Sequence, residues 1–389
     1  MMSKFSYSYF MSLFSKGSNN QPTERDDSIE LATQRQLIWR RFKRHRLGFT
    51  ASIIVVLFYV IVLFADFLST APPVDYAAAR GYMPPQGIQF FKEGHFMSTC
   101  EVTGERNMES FLMEFEADCE KSEGISLFGK GYEYKLWGLI KTDRHILGMK
   151  DETKDPNAWI HLFGTDKQGR DVFSRTMHAT RVSLTIGLVG VALSIVFGIF
   201  LGSISGYYGG LIDSLIQRFI EIIRSIPTIP LYMGLSSAFP DDWTINQVYF
   251  MITVIISLFA WTDLARVIRG RFLALKDEDF VTAARLNGAK TMRVIFIHML
   301  PSFYSHIIAQ ASLSLPLMIV TETSLSFLGL GLRPPAVSYG VLLKDAQNVQ
   351  SVANMPWLFI PAILVIVVIL ALNFMGDGIR DAADPYQEV

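Results

Sequence analysis

The ionisable and thiol side chains of this chain form no pattern that is typical of an enzyme active site. Cys100 and Cys119 lack the spacing of metal ligands, and His95, His145 and His161 are too dispersed to form a metal site. No Gly-x-x-x-x-Gly-Lys-Ser/Thr loop is present to hold nucleotide phosphates, and neither His-Glu-x-x-His nor Gly-x-Ser-x-Gly occurs. We therefore expect a protein without a catalytic site, a metal or a cofactor.

Three residues in strongly apolar surroundings are candidates for a translocation path. Glu322 lies inside an apolar segment, where an ionisable group is costly and indicates a functional role. Pro227 and Pro230 interrupt another apolar segment, and a broken helix at membrane depth must face protein or a water-filled cavity. We interpret all three as candidates for lining a passage. For Glu322, a buried structural contact is the alternative.

The apolar residues are concentrated in blocks that are long enough to cross a membrane. Hydrophobic residues make up 50% of the 389 residues, and the net charge of −1 gives no indication of a nucleic-acid partner. A hydrocarbon core of about 30 Å needs about 20 helical residues. Six segments meet this length: 48–69, 183–205, 219–239, 247–265, 303–328 and 356–376. The start of the chain lacks the apolar core of a cleavable signal peptide, so we expect the first span to act as the anchor.

Basic residues indicate the orientation of these spans. They cluster before the first span, around Lys43, and between the fourth and fifth spans, around Arg285. The loops 240–246 and 329–355 contain few. Because short cytoplasmic loops carry the excess of Lys and Arg, we expect both clusters, and both chain termini, in the cytoplasm.

This orientation divides the chain into five parts. We expect a cytoplasmic segment with an amphipathic helix at the membrane surface, a first span, an external insertion, a membrane domain and a cytoplasmic tail. Their bounds are 1–47, 48–69, 70–182, 183–376 and 377–389, and the membrane domain includes a cytoplasmic loop at 266–302. For the amphipathic helix, a role in orientation alone is the alternative to lipid binding. Four glycines are expected to form a flexible inner loop: Gly202, Gly206, Gly209 and Gly210.

The external insertion contains both cysteines. In an oxidising compartment Cys100 and Cys119 could close a loop worth about 3 kcal/mol; two free thiols are the alternative. The insertion has the length of a small ordered subdomain, which could contact an external protein, cap the passage or only stabilise the fold. Asp166, Arg170 and Asp171 precede the second span, and we expect local ion pairs there in preference to ligand recognition.

The cytoplasmic loop contains a short helix that is suited to docking. Acidic residues before and at Asp279 favour the start of a helix, and Asn287-Gly288 is a good C-terminal stop. Phe280 and Ala284 are four residues apart on one face, and small Ala283 and Ala284 allow a partner to approach closely. A second helix follows and ends at Pro301. We expect this region to bind another protein.

The spacing of the loop resembles the Glu-Ala-Ala loop of permease subunits in binding-protein-dependent ABC importers. Ala283, Ala284, Gly288, Leu300 and Pro301 match the family pattern in register. Two residues depart from it, Thr282 at the family glutamate and His298 at the family isoleucine. Four further segments resemble permeases of the dipeptide/oligopeptide family: 164–175, 206–213, 324–331 and 380–385.

The resemblance implies an all-α membrane protein with six transmembrane helices, similar to the second permease of dipeptide/oligopeptide systems in the bacterial inner membrane. It implies a heterodimer with a homologous permease, two ATP-binding subunits and an external solute-binding protein. The ATPase-docking residues would be Asp279, Phe280, Thr282, Ala283, Ala284, Gly288, Leu300 and Pro301. Di- or oligopeptides are the expected substrates, and oligosaccharides or opines are alternatives. A secondary carrier is the alternative class, although the chain shows no repeated halves.

Overall fold

The computed structural model describes residues 33–92, 95–108, 113–149, 159–240, 242–348 and 353–383. The predictions for residues 1–32 and for the end of the cytoplasmic tail lie outside these ranges. Within them, the helices are α1 (Gln34–Arg44), α2 (Arg46–Leu68), α3 (Val172–Tyr208), α4 (Gly210–Ser225), α5 (Thr228–Ser237), α6 (Ile245–Leu275), α7 (Asp279–Leu286), α8 (Thr291–Phe327), α9 (Tyr339–Ala346) and α10 (Ile360–Ala383).

Five helices in the described part of the chain are long and apolar enough to cross a membrane. They are α2, α3, α6, α8 and α10, the last preceded by a short turn from Pro356. They overlap five of the six predicted spans, and two of those spans extend one residue past the end of their helix. The third predicted span, 219–239, is divided between α4 and α5. The break follows from Pro227, which lacks a backbone N–H and disfavours helical geometry in the residue before it.

From contacts between the two ends of the described chain, we infer that α4 and α5 together make a sixth crossing. His45, which caps the start of α2, lies 3.6 Å from Asp381 near the end of α10. The two ends therefore lie on the same side, which requires an even number of crossings. The start of α4 is tied to the end of α6 by Asp213 and Arg269, whereas Phe239, after α5, stacks on Trp243, before α6. The α4–α5 pair thus runs from one side to the other.

Helices α3 and α6 pack closely through small residues. Gly198, Gly202 and Gly206 recur every four residues on one face of α3. A Cβ atom on Gly202 would lie 2.6 Å from the carbonyl oxygen of Ala265, and one on Gly206 would lie 2.5 Å from the Cβ of Phe272. Small residues of this spacing allow membrane helices to approach. The expectation of a flexible loop at Gly202 and Gly206 is therefore wrong, and the chain turns only at Gly209 and Gly210, both with positive φ.

The insertion is built from β-strands, which the sequence analysis did not predict. The strands are β1 (Ile88–Lys92), β2 (His95–Arg106), β3 (Met113–Leu127), β4 (Lys130–Leu136), β5 (Ile140–Arg144) and β6 (Leu147–Met149). An antiparallel sheet has the order β1-β2-β3-β6, and β4 and β5 form a separate hairpin. Cys100 on β2 is joined to Cys119 on β3 by a disulfide. The all-α architecture thus applies to the membrane part.

A buried charge network closes the insertion onto the membrane helices. α3 begins at Val172, eleven residues before the predicted span, so its first turns belong to this network. Arg170 contacts Asp166 at 2.7 Å and Asp345 of α9 at 3.0 Å, and Arg175 pairs with the same two carboxylates. Buried charges need such partners, so we infer that Asp166 and Arg170 clamp the structure.

Candidate functional site

Helix α7 is held against the membrane domain by one narrow apolar face. Val281 and Ala284 are buried, and they belong to one cluster with Phe272 of α6 and with Val294 and Ile295 of α8. The helix begins after Glu278, whose side chain makes no capping hydrogen bond, so Asp279 at the first turn supplies the negative charge near the helix N-terminus. Eight residues are too few for an independently stable helix. Its position therefore depends on this apolar face.

The C-terminus of α7 ends in a Schellman motif centred on Gly288. The Ala289 N–H donates to the Ala284 carbonyl at 3.1 Å, and the Gly288 N–H donates to the Arg285 carbonyl at 2.9 Å. Gly288 has a φ of +75°, a conformation that is unfavourable for residues with a Cβ. The motif turns the chain sharply between α7 and α8.

The opposite face of α7 is open to solvent. Four of the predicted docking residues lie on it: Asp279, Phe280, Thr282 and Ala283. Ala284 does not, because it is packed inward beside Val281, so only one of the two alanines can meet a partner. The structure adds Leu286, whose side chain is 84% exposed. No local pattern marked Leu286, because its exposure follows from the inward orientation of Ala284 two residues earlier, which only the packing of α7 determines.

Leu300 and Pro301 directly follow a π-helical turn in α8. Residues Val294–Met299 form a π-helical turn, and the Leu300 N–H donates to the Ile295 carbonyl five residues earlier. Such π turns occur mostly as single turns and often at functional sites. Leu300 is buried in the cluster beneath α7, whereas Pro301 is exposed. Of the predicted docking residues, Ala284 and Leu300 support the loop from inside.

Two contacts fasten the loop to neighbouring helices on the same side of the membrane domain. The Arg285 guanidinium lies 5.0 Å from the ring centre of Tyr207, at the end of α3. Asp213 of α4 accepts hydrogen bonds from the Arg269 Nε and Nη2 atoms, each at 2.5 Å, and from Ser205. The hydrogen bond from Arg269 is the main reason that the pKa of Asp213 is lowered. α3, α4, α6 and α7 therefore form a connected surface.

The three candidate passage residues have different surroundings. Pro227 and Pro230 are exposed at the break between α4 and α5. Glu322 is completely buried, and its carboxylate accepts hydrogen bonds from Ser183 of α3 at 2.7 Å and Ser326 of α8 at 2.9 Å. These contacts match the alternative of a buried structural role. In this conformation Glu322 does not line an open passage.

Sequence comparisons identify the family of the chain. The family model described as "Binding-protein-dependent transport system inner membrane component" matches residues 198–388, and the model for the N-terminal transmembrane domain of oligopeptide transport permease C matches residues 33–85. The oligopeptide transport system permease of Haemophilus influenzae is 41% identical over 226 residues, which cover 58% of this chain and 70% of the relative. The chain belongs to the family of binding-protein-dependent transport permeases.

A longer match includes the insertion. The dipeptide transport system permease of Lactococcus lactis is 31% identical over 355 residues, and the match covers 89% of each chain. Family membership makes this chain a multi-pass inner membrane permease subunit of an ABC importer, one that works with ATP-binding subunits and a binding protein. Among solved structures, the inward-facing methionine transporter MetNI is 18% identical, with a TM-score of 0.40, over 52% of this chain and 93% of that chain.

Proposed function

We propose that this permease subunit carries di- or oligopeptides across the bacterial inner membrane. Its similarity to oligopeptide and dipeptide permeases of three bacteria supports this substrate class. Oligosaccharides and opines are the alternative substrates. Uptake of a labelled tripeptide and of a labelled trisaccharide, compared in cells with and without the gene, tests the choice. Loss of trisaccharide uptake alone would overturn the peptide assignment.

The main support for the transport mechanism is that one face of α7 is exposed while the other face packs against α6 and α8. We propose that an ATP-binding subunit docks on this face and that ATP is hydrolysed by that partner, not by this chain. Closure of the ATP-binding subunits would move α7, and the packed cluster beneath it would transmit the motion to α6 and α8. Asp279, Phe280, Thr282 and Ala283 supply the contact surface, whereas Ala284, Gly288 and Leu300 maintain its shape.

A second apolar surface supports a homologous permease as partner. Along α4 and α5, large apolar side chains are exposed while Ile220 and Tyr232 are buried. The exposed side chains are Leu211, Leu215, Phe219, Ile222, Ile229 and Met233. We propose that the partner permease covers part of this surface and that the break at Pro227 and Pro230 faces the passage between the two subunits.

The docking proposal predicts that a charge on the exposed face of α7 breaks the complex. Leu286→Asp should reduce co-purification of the ATP-binding subunits by at least about tenfold, the loss expected for about 1.4 kcal/mol of binding free energy. Met108→Asp is the matched control, because Met108 is 80% exposed and lies in the insertion, just after β2. Thr282→Glu, which restores the family residue, should leave association intact. Unchanged co-purification of Leu286→Asp would refute docking on this face.

The proposed orientation predicts which positions an impermeant thiol reagent reaches. In a background without Cys100 and Cys119, a cysteine at position 285 should react only after the cells are permeabilised. A cysteine at position 76, which we place outside, should react in intact cells. Reaction at position 285 in intact cells would reverse the orientation and place α7 away from ATP.

A further inference from the structure

The β4–β5 hairpin lies against the side of a membrane-spanning helix. The Trp137 indole N–H at its tip donates to the carbonyl oxygen of Leu63 in α2 at 3.0 Å, and the Trp137 ring lies 5.8 Å from the ring of Phe64. Phe64 has non-helical backbone angles, so α2 is kinked at this contact. The hairpin therefore reaches below the outer end of α2.

The depth of this contact follows from the length of α2. Leu63 lies seventeen residues after Arg46, the first residue of the helix, which corresponds to about 26 Å at 1.5 Å per residue. The hydrocarbon core is about 30 Å thick. On the face of α2 that packs against α3, Arg181 donates to the Val62 carbonyl and pairs with Asp66, so polar groups begin at this level. The hairpin tip thus lies at the outer boundary of the hydrocarbon.

The face of α2 that carries the hairpin tip is its lipid-facing side. Ile53, Val56, Leu57, Val60 and Leu63 form an exposed apolar stripe with helical spacing, while Val55, Phe58 and Val62 are buried against the other helices. The tip continues this stripe. Trp137, Leu139 and Ile140 are all exposed, Leu139 to 83%.

The chemistry of the tip fits a phospholipid surface. Trp is enriched where the hydrocarbon meets the headgroups, and Lys extends its ammonium group from an apolar surface toward the headgroups. Lys135 and Lys141 are paired directly across the hairpin next to the tip. Two like charges in this position repel each other, and phosphate groups between them would offset the repulsion. Trp137 also has a φ of +54°, which is uncommon for a bulky residue.

We propose that the tip of the β4–β5 hairpin inserts into the outer leaflet of the membrane. Trp137, Leu139 and Ile140 contact the acyl chains near the headgroups, and Lys135 and Lys141 contact lipid phosphates. The insertion is thereby anchored to the membrane at a second point beside α2, independently of any solute-binding protein.

A nitroxide label on Leu139→Cys tests the proposal in the full-length chain. The protein is reconstituted in phosphatidylethanolamine–phosphatidylglycerol liposomes, with the Cys100–Cys119 disulfide kept intact. Tyr76→Cys is the matched control, because Tyr76 is 77% exposed and adjoins Ala77, whose carbonyl contacts Gly169. Gly169 precedes Arg181 by twelve residues, ten of them along α3. The control position therefore lies roughly 15 Å farther from the membrane centre than Arg181, which marks the level of the hairpin tip.

We expect the label at position 139 to collide several-fold more with oxygen than with a water-soluble nickel chelate, relative to the label at position 76. Ile140→Cys should behave like Leu139→Cys. Nickel accessibility equal to that of position 76 would show that the tip lies in water and would overturn the proposal. Inaccessibility to both reagents in the assembled transporter would show that a protein partner covers the tip, which would also overturn it.

Discussion

At the scale of single residues, Gly288 sets the turn that follows α7 through its backbone conformation. The Schellman motif needs a left-handed residue after α7, and Gly288 supplies it without a side chain to clash. A left-handed conformation costs other residues roughly 1–2 kcal/mol, with β-branched residues the least suited. Replacing a glycine in a right-handed helix by a β-branched residue does not carry this cost, because the backbone there has a negative φ.

We predict that Gly288→Val moves or unfolds α7 and impairs coupling. Transport and substrate-stimulated ATP hydrolysis should fall, while membrane insertion of the six spans remains. Gly270→Val is the control, because Gly270 lies within α6 with open space around its Cα and no positive φ. Both variants are compared by membrane yield and by ATPase stimulation in the reconstituted complex. Wild-type stimulation in Gly288→Val would contradict the role assigned to this turn.

The sequence was sufficient for some of these residues and not for others. The left-handed turn at Gly288 could be predicted because helix stop signals are local. The inward orientation of Ala284 could not be predicted, since it depends on packing against Phe272, Val294 and Ile295. Likewise, the burial of Glu322 requires Ser183, which is distant in sequence.

At the scale of helices, the link between α4 and α6 predicts a dependence of stability on pH. The pKa of Asp213 is lowered mainly by its hydrogen bond with Arg269. A carboxylate with a lowered folded pKa stabilises the protein above its unfolded pKa of about 3.9, and the contribution is lost as the pH falls through the folded value. Because Asp213 is partly solvated, we expect a modest effect.

Asp213→Asn should lower the melting temperature of the detergent-solubilised protein at pH 7. It should also lose less stability than the wild type when the pH falls below about 4, since the group that titrates is gone. Glu221→Gln is the control, because Glu221 pairs with Arg218 at an exposed position where ion pairs contribute little. Identical acid profiles of the wild type and Asp213→Asn would contradict the assigned role.

The helices and the strands of this chain were not equally predictable. Long apolar blocks and the breaking effect of Pro227 are local signals, and they located the membrane helices well. The insertion lacks a regular alternation of apolar and polar residues. Its strands are long, the pairing of β2 with β3 is bulged between Cys100 and Glu101, and parts of the strands are exposed on both faces. Its sheet is set by pairing between distant segments, which a local pattern does not report.

At the scale of the whole molecule, the exposed apolar surface of α4 and α5 is typical of a helical bundle that is completed by helices of another subunit. The helices α2, α3, α8 and α10 share a continuous apolar core that includes Phe58, Leu184, Ile319 and Val368. By contrast, α4 buries Ile220 and leaves most of its large apolar side chains exposed. We infer that one chain supplies half of the passage, with the second half from the homologous permease.

This inference predicts that the purified chain alone neither hydrolyses ATP nor takes up peptide. Reconstituted in liposomes, it should show no ATP-dependent uptake, because the sequence contains no Gly-x-x-x-x-Gly-Lys-Ser/Thr loop and, in the proposed assembly, a second permease completes the passage. Adding the partner permease, the ATP-binding subunits and the binding protein should establish uptake, and leaving out the binding protein should remove most of it. Concentrative uptake by the single chain, driven by an ion gradient, would instead support a secondary carrier. Liposomes with the partner proteins but without this chain complete the comparison, and they should also be inactive.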